Sequence, residues 1–179
     1  GLPAAGRIIN VTFNGSGNQT ISGIGTMTRF NNITINNSSS TNIVEVTSSN
    51  FSASSGFLTL SNGIFKLSGT FAFSNTFFSA ASYNILSGTG LWLNNANATV
   101  TGQNGSPVLF GLLRISSGTY NVGSQSGNSL RYNNNSSFMM EGGTLNVAGR
   151  FVNDTSNDKI TFNMSGGTMT LATSGTSNA

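Results

Sequence analysis

The stretch Phe138-Met-Met-Glu-Gly-Gly-Thr-Leu-Asn-Val147 carries the pattern that decides the fold. Apolar residues alternate with other residues on both sides of a glycine, and this two-residue period is typical of a β-strand that buries one face. Glycine accepts the positive φ of a tight corner, so the stretch predicts two short strands joined at a bend. Three further copies of the pattern occupy residues 58–67, 113–122 and 162–171.

The copies recur at a regular spacing. In chain order, the apolar pairs that follow a corner are Phe65/Leu67, Leu91/Leu93, Tyr120/Val122, Leu145/Val147 and Met169/Leu171. Successive pairs lie 26, 29, 25 and 24 residues apart. A period of 24 to 29 residues, with about three short strands in each period, suits one turn of a parallel β-helix. Residues 1–179 are therefore predicted to form one all-β solenoid of about seven turns, with the five pairs stacked in a single sheet.

An antiparallel β-sandwich is the alternative fold, because it also contains many short strands separated by turn signals. Two-residue Asn-Gly turns between alternating runs would indicate its hairpins. Asn14-Gly15, Asn62-Gly63 and Asn104-Gly105 are present, but only the second lies between good strands. A regular period is harder to produce by chance than strand composition, so the spacing favours the solenoid.

The composition narrows the possible partners. Ser, Thr, Asn and Gly make up more than half of the chain, which disfavours helices, while 36% hydrophobic residues and thirteen Phe favour a folded core over disorder. The formal net charge is only +3 and the seven basic residues are scattered singly, so no nucleic-acid partner is expected. No apolar run approaches eighteen residues, so no membrane insertion is expected either.

The chain offers little material for catalysis. It contains four acidic residues, no His and no Cys. General acid–base chemistry needs two titratable groups whose environments separate their pKa values, and Glu45 and Glu141 are predicted to lie almost four turns apart. Asp154 and Asp158 lie close in sequence but lack the glycine and the closing Glu of a calcium-binding loop. We therefore predict no enzyme, no cofactor and no metal site.

Trp92 is the only tryptophan and the best candidate for ligand binding. Leu91 and Leu93 take the inward positions, so the indole should face outward, at the same strand position as Asn121. An exposed indole beside the amides of Asn94 and Asn121 would suit stacking against a sugar ring, as in binding of a surface polysaccharide. The other interpretation is that a neighbouring loop covers the ring.

Three segments carry a family resemblance: residues 30–37 (FNNITINN), 56–63 (GFLTLSNG) and 142–149 (GGTLNVAG). They resemble the β-strand repeats of large secreted surface proteins of Bacteroidetes and of autotransporter-like adhesins. The resemblance covers most of the chain and implies an exported parallel β-helix attached to a cell surface. It transfers no functional residue.

Together these observations predict a non-enzymatic extracellular module with a structural or adhesive role, such as a rigid stalk or filament segment on a cell surface. Neither end resembles a cap, so we expect either a fragment of a longer chain or a subunit that self-associates through its end turns. A carbohydrate-binding module centred on Trp92 is the alternative function.

Overall fold

The computed structural model describes residues 9–24, 28–79 and 83–175. These residues form fourteen β-strands and no helix. The strands are β1 (Ile9–Phe13), β2 (Gln19–Ile21), β3 (Thr28–Asn36), β4 (Ile43–Val46), β5 (Phe51–Ala53), β6 (Leu58–Ser68), β7 (Phe73–Thr76), β8 (Thr89–Thr101), β9 (Val108–Leu109), β10 (Leu112–Val122), β11 (Leu130–Tyr132), β12 (Ser136–Val147), β13 (Phe151–Asn153) and β14 (Ile160–Leu171). All of their pairings are parallel. The predicted β-solenoid is confirmed, and the antiparallel sandwich is wrong.

The solenoid has about six turns, so the expected seven is too many. The main strand path, β1-β3-β6-β8-β10-β12-β14, contains seven strands joined by six pairings. Paired residues are 20 to 26 positions apart, from Val100 with Tyr120 to Phe65 with Leu91. Dividing the chain length by the period counts the strands of the stack. A turn is the chain between two successive strands, so there is one turn fewer than there are strands.

One face of the solenoid runs without interruption from the first turn to the last, and we call it the central face. Its strand segments are residues 19–21, 43–46, 64–67, 90–93, 112–115, 137–140 and 161–164. A second face, which we call the corner face, follows a bend in the later turns and contains residues 98–101, 119–122, 144–147 and 168–171. The long strands β8, β10, β12 and β14 each contribute to both faces.

The five apolar pairs lie in one parallel sheet, as predicted, but the prediction that they stack directly on one another is wrong. Leu91 pairs with Leu113 on the central face, whereas Tyr120 pairs with Val100 and Leu145 on the corner face. The error arises because Gly63 and Gly118 occupy different corners of the turn, although both have positive φ, 101° and 90°. The central face begins after Gly63 and ends before Gly118, so similar sequence patterns align with different parts of the turn.

The core consists of continuous inward columns, as the alternation predicted. Two of them run along the central face: Gln19–Val44–Phe65–Leu91–Leu113–Phe138–Phe162 and Ile21–Val46–Leu67–Leu93–Ile115–Met140–Met164. The buried apolar residues form one cluster. Each fully buried side chain of this size stabilises the fold by roughly 1.5–3 kcal/mol, so the columns bind neighbouring turns to one another.

Candidate functional site

The outward side chains of the central face form a column that contains Trp92. In register, one residue per turn, it consists of Thr20, Glu45, Lys66, Trp92, Arg114, Met139 and Asn163. Glu141 reaches this column from just beyond the central face. Four of the chain's eleven charged residues (seven basic and four acidic) thus surround its only tryptophan. We call Glu45, Lys66, Trp92, Arg114 and Glu141 the Trp92 ladder.

Cations cover the Trp92 ring. The Lys66 Nζ atom lies 4.0 Å from the ring centroid, and the Arg114 Cζ atom lies 3.8 Å from it. Lys66 belongs to the turn before Trp92 and Arg114 to the turn after, so the two cations lie against opposite faces of the indole. The indole Nε1 also donates a hydrogen bond of 2.8 Å to Ser116 Oγ. Cation–π contacts of this kind contribute about 0.5–1 kcal/mol each at exposed sites.

A carboxylate neutralises each of the two cations. Glu45 lies 2.8 Å from Lys66 Nζ and accepts a hydrogen bond of 2.7 Å from Ser68 Oγ. Hydrogen bonds from Lys66 and Ser68, opposed in part by burial, hold the pKa of Glu45 below its ordinary value. Glu45 and Lys66 are therefore both charged at neutral pH, and this pair carries no net charge.

Glu141 closes the other end of the ladder. Its carboxylate accepts two hydrogen bonds from Arg114, 2.5 Å from Nη2 and 3.1 Å from Nε, and a third from Ser116 Oγ. The bonds from Arg114 and then Ser116 hold the pKa of Glu141 below its ordinary value. Bidentate pairing of this kind fixes the guanidinium plane against the indole.

The three predicted ligand-binding residues do not form one site. Asn94 lies on β8 two residues beyond Trp92 and pairs with Ser68 of the preceding turn. Asn121 lies elsewhere: it pairs with Thr101 on the corner face, and its Oδ1 accepts a hydrogen bond of 2.9 Å from Asn146 Nδ2. The predicted grouping of Asn121 with Trp92 is therefore wrong, for the same register reason as the apolar pairs.

The outward orientation predicted for Trp92 agrees with its place in the column, but its surroundings differ from both interpretations of the sequence. Lys66 and Arg114 cover the ring, rather than a loop, and the indole is half-buried. A sugar ring would have to displace one of these cations from its carboxylate in order to stack. Sugar binding at Trp92 stays a prediction.

The acidic loop is held by its own hydrogen bonds. Asp158 Oδ2 accepts bonds of 2.7 Å from both the backbone N and the Oγ1 of Thr155, and one of 3.3 Å from Asn133 Nδ2. Hydrogen bonds from the Thr155 hydroxyl above all, and from the backbone of Thr155 and Asn134, hold the pKa of Asp158 below its ordinary value, opposed in part by burial. Asp154 lies 3.6 Å from Arg131 Nη1. Across residues 9–24, 28–79 and 83–175, no three His, Cys, Asp or Glu side chains cluster as metal ligands would.

A shallow groove of about 270 Å³ lies beside the Trp92 ladder, where the strand segments of the central face begin. Ile64, Phe110 and Leu112 supply apolar surface, and hydroxyl groups such as those of Ser87 and Ser137 line the rest. No charged residue lines it, so it offers no acid–base pair. Sequence reasoning missed both the groove and the ladder, because their residues come from successive turns and meet only once the register is known.

The described part of the chain contains no helix that is long and apolar enough to cross a membrane. No family model matches the chain, and neither the curated proteins nor the solved structures contain a match to it.

Proposed function

We propose that this chain is a non-enzymatic structural or adhesive module, a rigid β-helical segment of an extracellular stalk or filament on a cell surface. The observation that carries the proposal is the unbroken stack of parallel turns around one apolar core. Such a stack resists bending, because every turn is bonded to the next by backbone ladders and by continuous side-chain columns.

Side chains on the outer surface add further bonds between turns. The Trp92 ladder links five turns through ion pairs and cation–π contacts. Asparagine pairs also span neighbouring turns, with bonds of 2.9 Å between Asn31 and Asn10 and between Asn146 and Asn121. Contacts of this kind, spread along the surface, support a role in which the length and stiffness of the rod matter more than any single pocket.

The surface chemistry agrees with a structural role. The two carboxylates of the Trp92 ladder are bonded to cations, and the acidic loop is bonded internally. The location outside the cell rests on the resemblance of residues 30–37, 56–63 and 142–149 to the repeats of secreted surface proteins.

Immunogold electron microscopy of the cells that produce this protein tests the proposal. We expect gold particles outside the cell envelope, along extended surface structures. Purified protein should show no turnover of a panel of neutral and acidic polysaccharides, with or without Ca²⁺. Labelling confined to the cytoplasm would contradict the proposed location. Turnover that is lost in the Glu45→Gln or Asp158→Asn variant would contradict the non-enzymatic role.

A further inference from the structure

The outer edge of β14 exposes the cross-section of the core. β14 is the last strand of the main path, and this edge pairs with no other strand of the described chain. Phe162, Met164 and Leu171 lie in inward columns, yet they are 46%, 40% and 46% exposed. A row of backbone donors and acceptors lies beside this apolar surface, and edges of that kind readily pair with another strand.

Nothing in β14 protects this edge. Exposed edge strands are usually blocked by a charged residue, a proline or a covering segment. β14 has no charged residue and no proline, so two copies of it can approach without like-charge repulsion.

The side chains of β14 are arranged almost symmetrically about its bend. Counted outward from the boundary between Gly166 and Gly167, matching positions hold residues of the same character. The matching pairs are Ser165 with Thr168, Met164 with Met169, Asn163 with Thr170 and Phe162 with Leu171. A strand with this pattern is complementary to an antiparallel copy of itself.

We propose that a second copy of this chain binds the outer edge of β14, tail to tail, across a two-fold axis that passes between Gly166 and Gly167. Met164 then packs against Met169 of the second copy, and Phe162 packs against its Leu171. Each contact occurs twice, as in any isologous interface. The glycine pair leaves no side chain on the axis. The dimer itself does not depend on the proposed function. Its biological role does, because the interface would join two rods end to end.

The internal contact of β14 supports this interface. On its inner edge β14 already packs the same columns against β12, where Phe138 pairs with Phe162 and Leu145 with Met169. The second copy would continue that arrangement on the outer edge. The last turn, residues 151–175, contains about 25 residues, which matches the 20–30 residues that each partner contributes to a stable interface.

Head-to-tail stacking is the competing arrangement, and the central face disfavours it. There β2 of the second copy would lie on residues 161–164, which places the polar Gln19 against Phe162. In this chain the Gln19 Oε1 atom already accepts a bond of 3.3 Å from the Gly15 backbone. In the tail-to-tail arrangement the four inward side chains of β14, Phe162, Met164, Met169 and Leu171, all meet apolar side chains.

Light scattering of the purified 179-residue chain tests the stoichiometry. We expect twice the 18.5 kDa chain mass at micromolar concentration. Met164→Lys should raise the dimer dissociation constant by more than about tenfold, since the interface would bury an unpaired ammonium group. Thr161→Lys, on the outward side of the same strand, is the matched control and should remain dimeric. Circular dichroism should show that both variants keep the fold, because both positions are exposed in the single copy.

Cysteine cross-linking tests the geometry, because the chain has no cysteine of its own. We expect Asn163→Cys and Thr170→Cys proteins, mixed and oxidised, to form a disulfide-linked dimer. A mixture of Asn163→Cys and Thr20→Cys should form none. Cross-linking of the second mixture alone would show head-to-tail stacking and overturn the proposal, as would a wild-type mass of 18.5 kDa at hundreds of micromolar. A monomer found on the cell surface would overturn this inference and leave the proposed function intact.

Discussion

β12 and β14 have nearly the same sequence pattern but very different environments. Both read as two alternating segments around a Gly-Gly pair, and they pair with each other along most of their length. Leu145 and Val147 in β12 are fully buried, whereas Leu171 of β14, which pairs with Val147, is 46% exposed. The difference is the number of neighbouring turns: β12 lies between β10 and β14, whereas within the described residues β14 pairs with β12 alone. Burial in a solenoid is therefore a property of the position in the stack as much as of the repeat.

Aspartate substitutions should show the largest effect of this difference. Leu145→Asp should lower the free energy of unfolding by more than about 4 kcal/mol, because it buries an unpaired carboxylate between two turns. Leu171→Asp should cost less than about 1.5 kcal/mol, because its carboxylate stays in contact with water. Urea unfolding followed by circular dichroism measures both. Equal losses would show that β14 is as buried in solution as β12. A tightly bound dimer would also bury β14, so the measurement is made at a protein concentration where the chain is monomeric.

Substitutions at the corner glycines should lower the stability of the fold by similar amounts in β12 and in β14. Gly143 and Gly167 have φ of 70° and 85°, and an added Cβ would come within 2.5 Å of Gly118 O and 2.6 Å of Gly142 O. In both cases the obstacle is a backbone carbonyl of the preceding turn, which is β10 for Gly143 and β12 for Gly167. Gly143→Ala and Gly167→Ala should therefore each cost about 2 kcal/mol or more.

Gly17→Ala is the matched control for these variants. An added Cβ at Gly17 meets no atom within 4 Å, so the cost should stay below about 0.5 kcal/mol. Chemical denaturation of the three variants under one condition makes the comparison. A Gly167 variant as stable as the Gly17 variant would contradict the close approach of the last two turns.

Alkaline pH should destabilise the interior turns. Burial raises the pKa of Tyr83 and of Tyr120 well above the ordinary value near 10. The unfolded chain releases these protons above about pH 10 while the folded chain keeps them, so the stabilising contribution is present below pH 10 and is lost as the pH rises beyond it. We expect the melting temperature to fall steeply above pH 10. The Tyr83→Phe/Tyr120→Phe double variant should show a shallower fall, and an identical profile would contradict the burial of these phenols.

The Trp92 ladder should show the smallest effect, because its carboxylates are partly exposed. Glu141→Gln should cost about 0.5–1 kcal/mol, within the range of surface ion pairs. Since the pKa of Glu45 and of Glu141 is lowered in the folded chain, their contribution is present above the unfolded pKa and is lost as the pH falls below about 4. The fluorescence of the single tryptophan reports directly on whether the cations stay against the indole as the carboxylates are protonated. An emission spectrum that is unchanged between pH 7 and pH 2.5, while the fold persists, would contradict the cation–indole contacts.

Residues close together in sequence carried enough information to predict the fold class and the inward positions. The alternation in residues 138–147, the corner glycines and the recurring period predict short strands, bends and a parallel stack, because each depends on φ preference and on side-chain direction along a strand. The same reasoning predicted that Leu91 and Leu93 face inward and that Trp92 faces outward. These features need no knowledge of which turn lies next to which.

The tertiary structure alone decided the register, and with it the surroundings of the candidate residues. The patterns around Gly63 and Gly118 look equivalent in sequence, but they bend the chain at different corners, so Leu91 stacks on Leu113 rather than on Tyr120. The register also separates Asn121 from Trp92 and places Lys66 and Arg114 against the indole. The physical reason is that register depends on packing between residues about 25 positions apart, which local alternation does not specify. The exposure of β14 was decided in the same way, because the described part of the chain places a neighbouring turn on one of its two edges.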